Sequence, residues 1–320
     1  MNKPTQSGMT LIELLISLAL GLIIMGSLIQ VIIRHSDTFS RTQALSRLQD
    51  QAGAALRMLR DDIELAGHWG LVSDARFIGG VPTATNDNPA ALRVPSRCPA
   101  RFTLDLLRNA TATTDPNQWQ CNITPLSGND GLVLRFASAV EQSAQFNRLQ
   151  LSTRLAEANV IDNGTKIAAT IGPAELHDLH VMGYFVAPES TLFPGQPVLR
   201  RLTLQAMTNG PFYVDEEIAA GIEKFKIRMA IDADADNIAD TWLPAGDPLL
   251  AQTATDGAAR FPPLAVEVTL VIRSENRGWT KQAPDPFVLA GENWTPPNDG
   301  YLRLISTATF NLYNAGAMPS

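Results

Sequence analysis

Glu13 is the only formal charge in the 25 residues from Met9 to Ile33, and Leu14 to Ile29 is almost wholly aliphatic. A carboxylate at the centre of a spanning helix costs on the order of 2.5 to 3.5 kcal/mol, so an intramembrane acid has a partner and a task; near a helix end it is an interfacial acid that costs little. A second candidate is the run Asp232, Asp234, Asp236, Asn237, Ile238, Asp240. Carboxylates at alternate positions, a carbonyl from Ile238 and Asp240 nearby match the first nine positions of an EF-hand-like Ca²⁺ loop. Asn237 stands at the turn glycine and Leu243 where a bidentate glutamate belongs, so the competing reading is a solvated acidic turn. Cys98 and Cys121, the two cysteines of the chain, flank a polar loop and suit a disulfide in an oxidising compartment, against the alternative of two unrelated buried thiols. His177-Asp178-Leu179-His180 has no further His or Cys at ligand spacing and reads as an approach to a strand.

The elements that position these groups follow from periodicity. A helix from Met9 to Ile33 is roughly 37 Å long, enough to cross a hydrocarbon core of about 30 Å with some tilt. A cleaved secretory signal is the alternative, but the apolar run is long for one and Arg34, His35, Ser36, Asp37 offer no small-x-small cleavage site. Lys3 and the amino terminus face Arg34, Arg41 and Arg47 across the span, so charge counting leaves the orientation open. Leu45, Leu48, Ala52, Leu56, Leu59 and Ile63 then recur at helical steps, an amphipathic stripe that needs a sheet to lie on, or a coiled-coil partner. Gly67 is a candidate left-handed terminator.

Beyond residue 70 the chain reads as strands and loops, with loops at 79–91 and 109–130 and strands at 132–136, 149–153, 180–186, 199–206, 223–231, 265–273 and 301–313. Phe225, Ile227, Met229 and Ile231 alternate with Lys224, Lys226 and Arg228, and Leu302, Leu304, Ala308, Phe310 and Leu312 share a face, so each strand should bury one side. The 320 residues are 45% hydrophobic and 18% charged with a net charge of -7, which excludes a disordered chain, a collagen-like repeat and a disulfide-dense mini-protein. An acidic balance also argues against nucleic-acid binding. No nucleophile elbow, P-loop or dinucleotide turn is present, so the sequence offers no enzyme.

Ser7-Gly8-Met9-Thr10-Leu11-Ile12-Glu13 resembles the class III signal of type IV prepilins: a short polar leader ending in Gly, Glu at the fifth mature position, and an uninterrupted apolar helix. The resemblance implies cleavage between Gly8 and Met9 by prepilin peptidase, methylation of the new amine, and pairing of Glu13 with the amine of a neighbouring subunit on assembly. Major pilins usually carry Phe where this chain has Met9. The stretch Leu59-Arg60-Asp61-Asp62-Ile63-Glu64-Leu65-Ala66-Gly67-His68-Trp69-Gly70 and the Thr-rich end from Leu302 to Asn314 are similar to PilW-type minor pilins, a family that often carries an Asp-x-Asp-x-Asp-Gly turn where Asp232 begins.

The fold that this implies is α+β and pilin-like, a long N-terminal helix packed on an antiparallel β-rich head. Its expected divisions are a leader at 1–8, a transmembrane and assembly helix at 9–33, an amphipathic continuation at 34–66 and a periplasmic head at 67–320. The implied function is that of an inner-membrane-anchored minor pilin, which helps prime pilus assembly and supports adhesion, twitching motility or DNA uptake. Its implied partners are other minor pilins, the major pilin, prepilin peptidase, the inner-membrane assembly platform and a tip adhesin. No cofactor is required, and Ca²⁺ is the one candidate. The rival readings are a minor pseudopilin of a type II secretion system and a membrane-tethered periplasmic module that never polymerises.

Overall fold

An apolar run free of proline, followed by polar sequence with apolar residues at three- and four-residue spacing, folds as one helix, α1 (Leu11–Leu65). The structure is a computed structural model that describes residues 10–83, 85–164, 174–234, 236, 238–254, 256–278 and 285–314. The chain divides into two units, Met1–Arg47 and Leu48–Ser320. In the first, the large apolar side chains from Leu11 to Ile33 are all exposed, and their mean hydropathy of 2.5 over the most apolar window suits a membrane span.

In the second unit the same helix buries Leu48, Ala52, Ala55, Leu59 and Ile63 at steps of four, three, four and four, the spacing of one helical face. Ala55 rather than Leu56 continues the buried stripe, Leu56 is half-buried, and Leu45 is exposed. The helix ends because Gly67 takes φ +81° and turns its N–H to the Arg135 carbonyl at 2.9 Å. A Cβ there would stand 2.2 Å from the Asn109 amide nitrogen and 2.3 Å from the Asn314 carbonyl oxygen.

Among the described residues, the head is built from the short helix α2 (Ala100–Leu104) and fourteen strands. Eight of them, β1 (Ile78–Gly79), β2 (Ala110–Thr113), β3 (Gly131–Ala137), β4 (Gln150–Thr153), β5 (Ala158–Ile161), β6 (Glu175–Ala187), β7 (Val198–Met207) and β8 (Gly210–Ala220), form one sheet. After β9 (Ile222–Ile231), β10 (Thr241–Pro244) and β11 (Pro263–Arg273) come a small hairpin, β12 (Phe287–Leu289) with β13 (Glu292–Trp294), and β14 (Arg303–Asn311). The second sheet has the order β10-β9-β11-β14, and every pairing in the head is antiparallel except β1 with β5. β6 organises the larger sheet, pairing with β4 through Glu175–Asp178, with β3 through Leu179–Tyr184 and with β7 through Met182–Ala187.

The two faces of that sheet have different covers. Leu179, Val181 and Phe185 of β6, with Val133 of β3, join Trp69, Phe102, Leu104 and Cys121 in one apolar cluster, so the segment after α1 lies on this side. Tyr184, opposite Leu132 in register, points to the other face, and its contact with Asp62 places the helix there. The sheets are tied where Asp130, just before β3, accepts from the Ile227 N–H at 2.8 Å and from Lys226 at 3.1 Å.

The expected strands are all present, most of them longer, with β4 and β14 shorter than expected. The loop expected at 109–130 contains β2 and a 3₁₀ turn over Pro116–Trp119, whose Asp115 side chain caps the turn. β5, β8 and β10 were not anticipated, because each lacks clean alternation. Phe225, Ile227, Met229 and Ile231 are fully buried as expected. Leu304, Ala308 and Phe310 are only half-buried, because β14 is an edge strand covered from one side.

Candidate functional site

Gly8 and Met9 lie outside the described residues, and Thr10 is the first residue on which the anchor can be read. Thr10 and Glu13 form a reciprocal cap at the start of α1: the Glu13 N–H donates to the Thr10 hydroxyl oxygen at 3.3 Å, and the Thr10 N–H and hydroxyl donate to the Glu13 carboxylate at 3.0 and 2.9 Å. This is a capping box, which satisfies donors that a helix start leaves open. It went unread in the sequence although its signature, a Thr three residues before a Glu at the head of an apolar run, is present. Ser17 and Ser27 donate their hydroxyls to helix carbonyls at 2.8 Å, so they present no unsatisfied donor to lipid. Glu13 is then the one group of the apolar run that still carries a charge.

The helix is fixed to the head by a buried polar contact. The Tyr184 hydroxyl donates to the Asp62 carboxylate, Arg201 pairs with Asp62 at 3.2 Å, and Arg201 also pairs with Glu216 at 3.0 Å. Burial pushes the Asp62 carboxyl above its ordinary range, and the Tyr184 and Arg201 donors oppose that push. Burial and the neighbouring Asp62 hold the Tyr184 phenol well above its usual value, so it is a neutral donor. Asp62 lies three residues from Leu59 on the buried side of the helix, and a charge at that spacing was the available signal for a partner in the sheet.

Beneath this contact the two ends of the head meet. The Asn314 amide donates to the Glu64 carbonyl at 3.4 Å and the Asn109 amide to the Asn314 carbonyl at 3.4 Å, so the closing segment rests against the last turn of α1. Gly70, at φ +73°, lets the backbone pass the His177 ring, whose atoms would lie 2.6 Å from a Cβ. His177 and His180 fall at positions of opposite parity on β6; His177 holds the Ser138 carbonyl at 2.7 Å while His180 stacks on Phe136 at 5.1 Å. They therefore do not form a pair.

Cys98 and Cys121 are joined in a disulfide and both are buried in the apolar cluster. In the acidic turn, Asp232, Asp234 and Asp240 each offer an oxygen within 4.8 Å of the others, a spacing that one cation could bridge. Asp236 is not in that group; its carboxylate accepts from the Ile238 N–H at 2.7 Å, and Leu243 is buried in β10 with no acid at the twelfth position. The Asp240 carboxylate also accepts the Ala233 N–H at 2.5 Å, and Asp232 accepts the Asp234 N–H at 3.2 Å. The acids thus order the turn through its own backbone, with three of them at a spacing that a cation would need. Asp236 and Asp240 raise the Asp234 carboxyl above its ordinary value, as crowded carboxylates do. Asn237 lies outside the described residues.

Two family models match the chain. The one described as type IV pilus-assembly protein W covers residues 183–314, which takes in Tyr184, Arg201, the acidic turn and the closing strand. The prokaryotic N-terminal methylation motif covers residues 3–29, with Gly8, Met9 and Glu13 inside it. Comparison with curated proteins gives no match. Among solved structures, the type IV-like pilin TTHA1219 from Thermus thermophilus aligns over 84% of this chain and 99% of its own, at 12% sequence identity and a TM-score of 0.39. The prepilin methylation motif on the anchor and the assembly protein W model on the closing sheets together support a type IV pilin of the PilW type.

Proposed function

We propose that this chain is a minor pilin of a type IV pilus, held in the inner membrane by α1 with its head in the periplasm until it is assembled. Prepilin peptidase cuts between Gly8 and Met9 and removes Lys3 with the leader, and the new Met9 amine is methylated. In the packed bundle of helices, Glu13 of one subunit meets the Met9 amine of a neighbour, so each buried charge acquires its partner on assembly. The partners are other minor pilins and the major pilin, the peptidase and the assembly platform, and the head sets which subunits follow, near the tip and next to an adhesin.

The observation that carries this reading is Glu13 itself, the one charge of a 25-residue apolar run, at the fifth position after Gly8 and inside the matched methylation motif. A disulfide in the head supports an oxidising compartment and hence the periplasmic orientation. The test is the intact mass and N-terminal residue of the protein from membranes of cells with and without prepilin peptidase. A chain that begins at methylated Met9 only when the peptidase is present is expected; an uncut chain in both would leave Glu13 without its amine and return the protein to a tethered periplasmic module.

A further inference from the structure

The head carries a cationic cleft unrelated to the anchor. It lies where α2 and the Pro116–Trp119 turn meet β3 and its sheet neighbour β2, and its volume is about 390 Å³, within the range of small-molecule sites. Its floor is formed by Arg135, Val133 and Phe102, each less than a tenth exposed, and the Trp119 ring forms a wall against Phe102 at 5.6 Å between centroids. In a chain of net charge -7 this cleft is lined by Arg101, Arg108 and Arg135 against one acid, Asp87.

The three cations are not equivalent. Arg101 pairs with Asp87 at 2.7 Å, and Arg108 pairs with Asp105 at 2.5 Å. Arg135, on β3, forms no ion pair among the described residues; it donates Nε and one terminal N–H to the Phe102 carbonyl at 3.0 and 2.8 Å and another terminal N–H to the Arg108 carbonyl at 2.8 Å. A guanidinium has five N–H donors, so two remain, one on each terminal nitrogen. Asp105 attracts this buried cation but is itself paired with Arg108, so an anion in the cleft would supply the direct ionic partner that Arg135 lacks. Burial pulls the Arg135 pKa down, as expected for that environment.

We infer that this cleft binds a sugar acid of about monosaccharide size, its carboxylate on Arg135 and its ring against Trp119. The remaining Arg135 donors suit a carboxylate, which accepts paired N–H groups. An indole face offers an apolar platform for the C–H face of a pyranose. The uncharged polar side chains of Thr111, Gln118 and Gln120 line the cleft and suit hydroxyl groups, which a bare anion site would not need.

The test is calorimetry on the full chain in a polyoxyethylene detergent, free of sugar headgroups, with glucuronate, glucose and acetate as separate titrants. Saturable glucuronate binding is expected, with glucose and acetate each weaker by about ten-fold or more. Arg135→Lys should weaken glucuronate by about ten-fold. Because that side chain is buried, Arg101→Glu, on the half-exposed rim, is the second variant, with a loss of about ten-fold expected at an unchanged circular dichroism spectrum. No saturable heat from glucuronate, equal affinity for glucose or acetate, or an Arg101→Glu chain that titrates like the parent would each overturn the inference.

Discussion

Tyr184→Phe isolates the contact that fixes α1 to the head. The substitution keeps the buried ring and removes one donor to Asp62, which retains Arg201 at 3.2 Å. A hydrogen bond to a charged, mostly buried group is worth about 1.5 to 3 kcal/mol, and that is the expected loss at neutral pH. The sign with pH follows from Asp62. Burial raises its folded pKa above the unfolded value, so its ionised form costs the folded state stability as pH rises through the interval between the two. Tyr184 reduces that cost by hydrogen-bonding the carboxylate, and below the interval there is little charge left to stabilise. The loss on Tyr184→Phe should therefore be largest near neutral pH and shrink in acid. Urea unfolding of the full chain in detergent micelles, followed by tryptophan fluorescence, reads it directly, and a cycle with Asp62→Asn should return a coupling of about 1 to 2 kcal/mol. A loss below about 0.5 kcal/mol at neutral pH, or one that does not change with pH, would refute the contact as the fastening of helix to head.

Glu217 is held at a pKa of about 2: burial pushes it up, but the Thr191 hydroxyl and N–H, Ser190 and Arg200 outweigh it. A carboxyl depressed in this way contributes stability that is present above its ordinary value of 4.5 and is lost as pH falls toward about 2. With a discount for solvent, Glu217→Gln should cost about 1 to 2 kcal/mol at neutral pH and flatten that acid limb in a stability titration. Replacing Cys98 and Cys121 together by Ala opens a loop of sequence separation 23 and should lower stability by about 3 kcal/mol in chemical denaturation. In the acidic turn, three aspartates and no bidentate glutamate fit only a weak Ca²⁺ site, with Kd of about 10⁻⁴ to 10⁻³ M by calorimetry on the full chain, abolished by Asp234→Asn; micromolar affinity, or no heat at saturating metal, would contradict that.

The anchor was legible because its signal is compositional. One charge in an apolar run, a Gly before it and a polar stripe after it need no tertiary contact to be recognised. In the second sheet β9, β11 and β14 were legible from their patterning, as where Phe225 to Ile231 alternate with Lys and Arg, while β10 was not. β2 was hidden because Ala110–Thr113 carries the small and β-branched residues of a loop as readily as of an edge strand, and β8 because its acids face Arg200 and Arg201 rather than solvent alone. Arg135 was invisible as a site residue, since its place depends on Phe102, Arg108 and Trp119, which α2, the approach to β2 and the 3₁₀ turn bring to its face of the sheet. The acidic turn shows the opposite error: alternate aspartates suggested four acidic ligands, but the Asp236 side chain turns to the Ile238 N–H.

The central claim, that the charge of Glu13 has its counterpart in a neighbouring subunit, is tested most directly by Glu13→Gln. Glutamine can still serve a capping box, so the start of α1 with Thr10 is retained while the charge is lost. The measurement is the amount of this subunit in fibres sheared from cells, relative to the amount in the membrane. The account predicts a Glu13→Gln chain that inserts in the membrane at the parent level and falls by about ten-fold or more in the sheared fraction. Incorporation of Glu13→Gln at the parent level would contradict it, and would leave Glu13 as a helix cap alone.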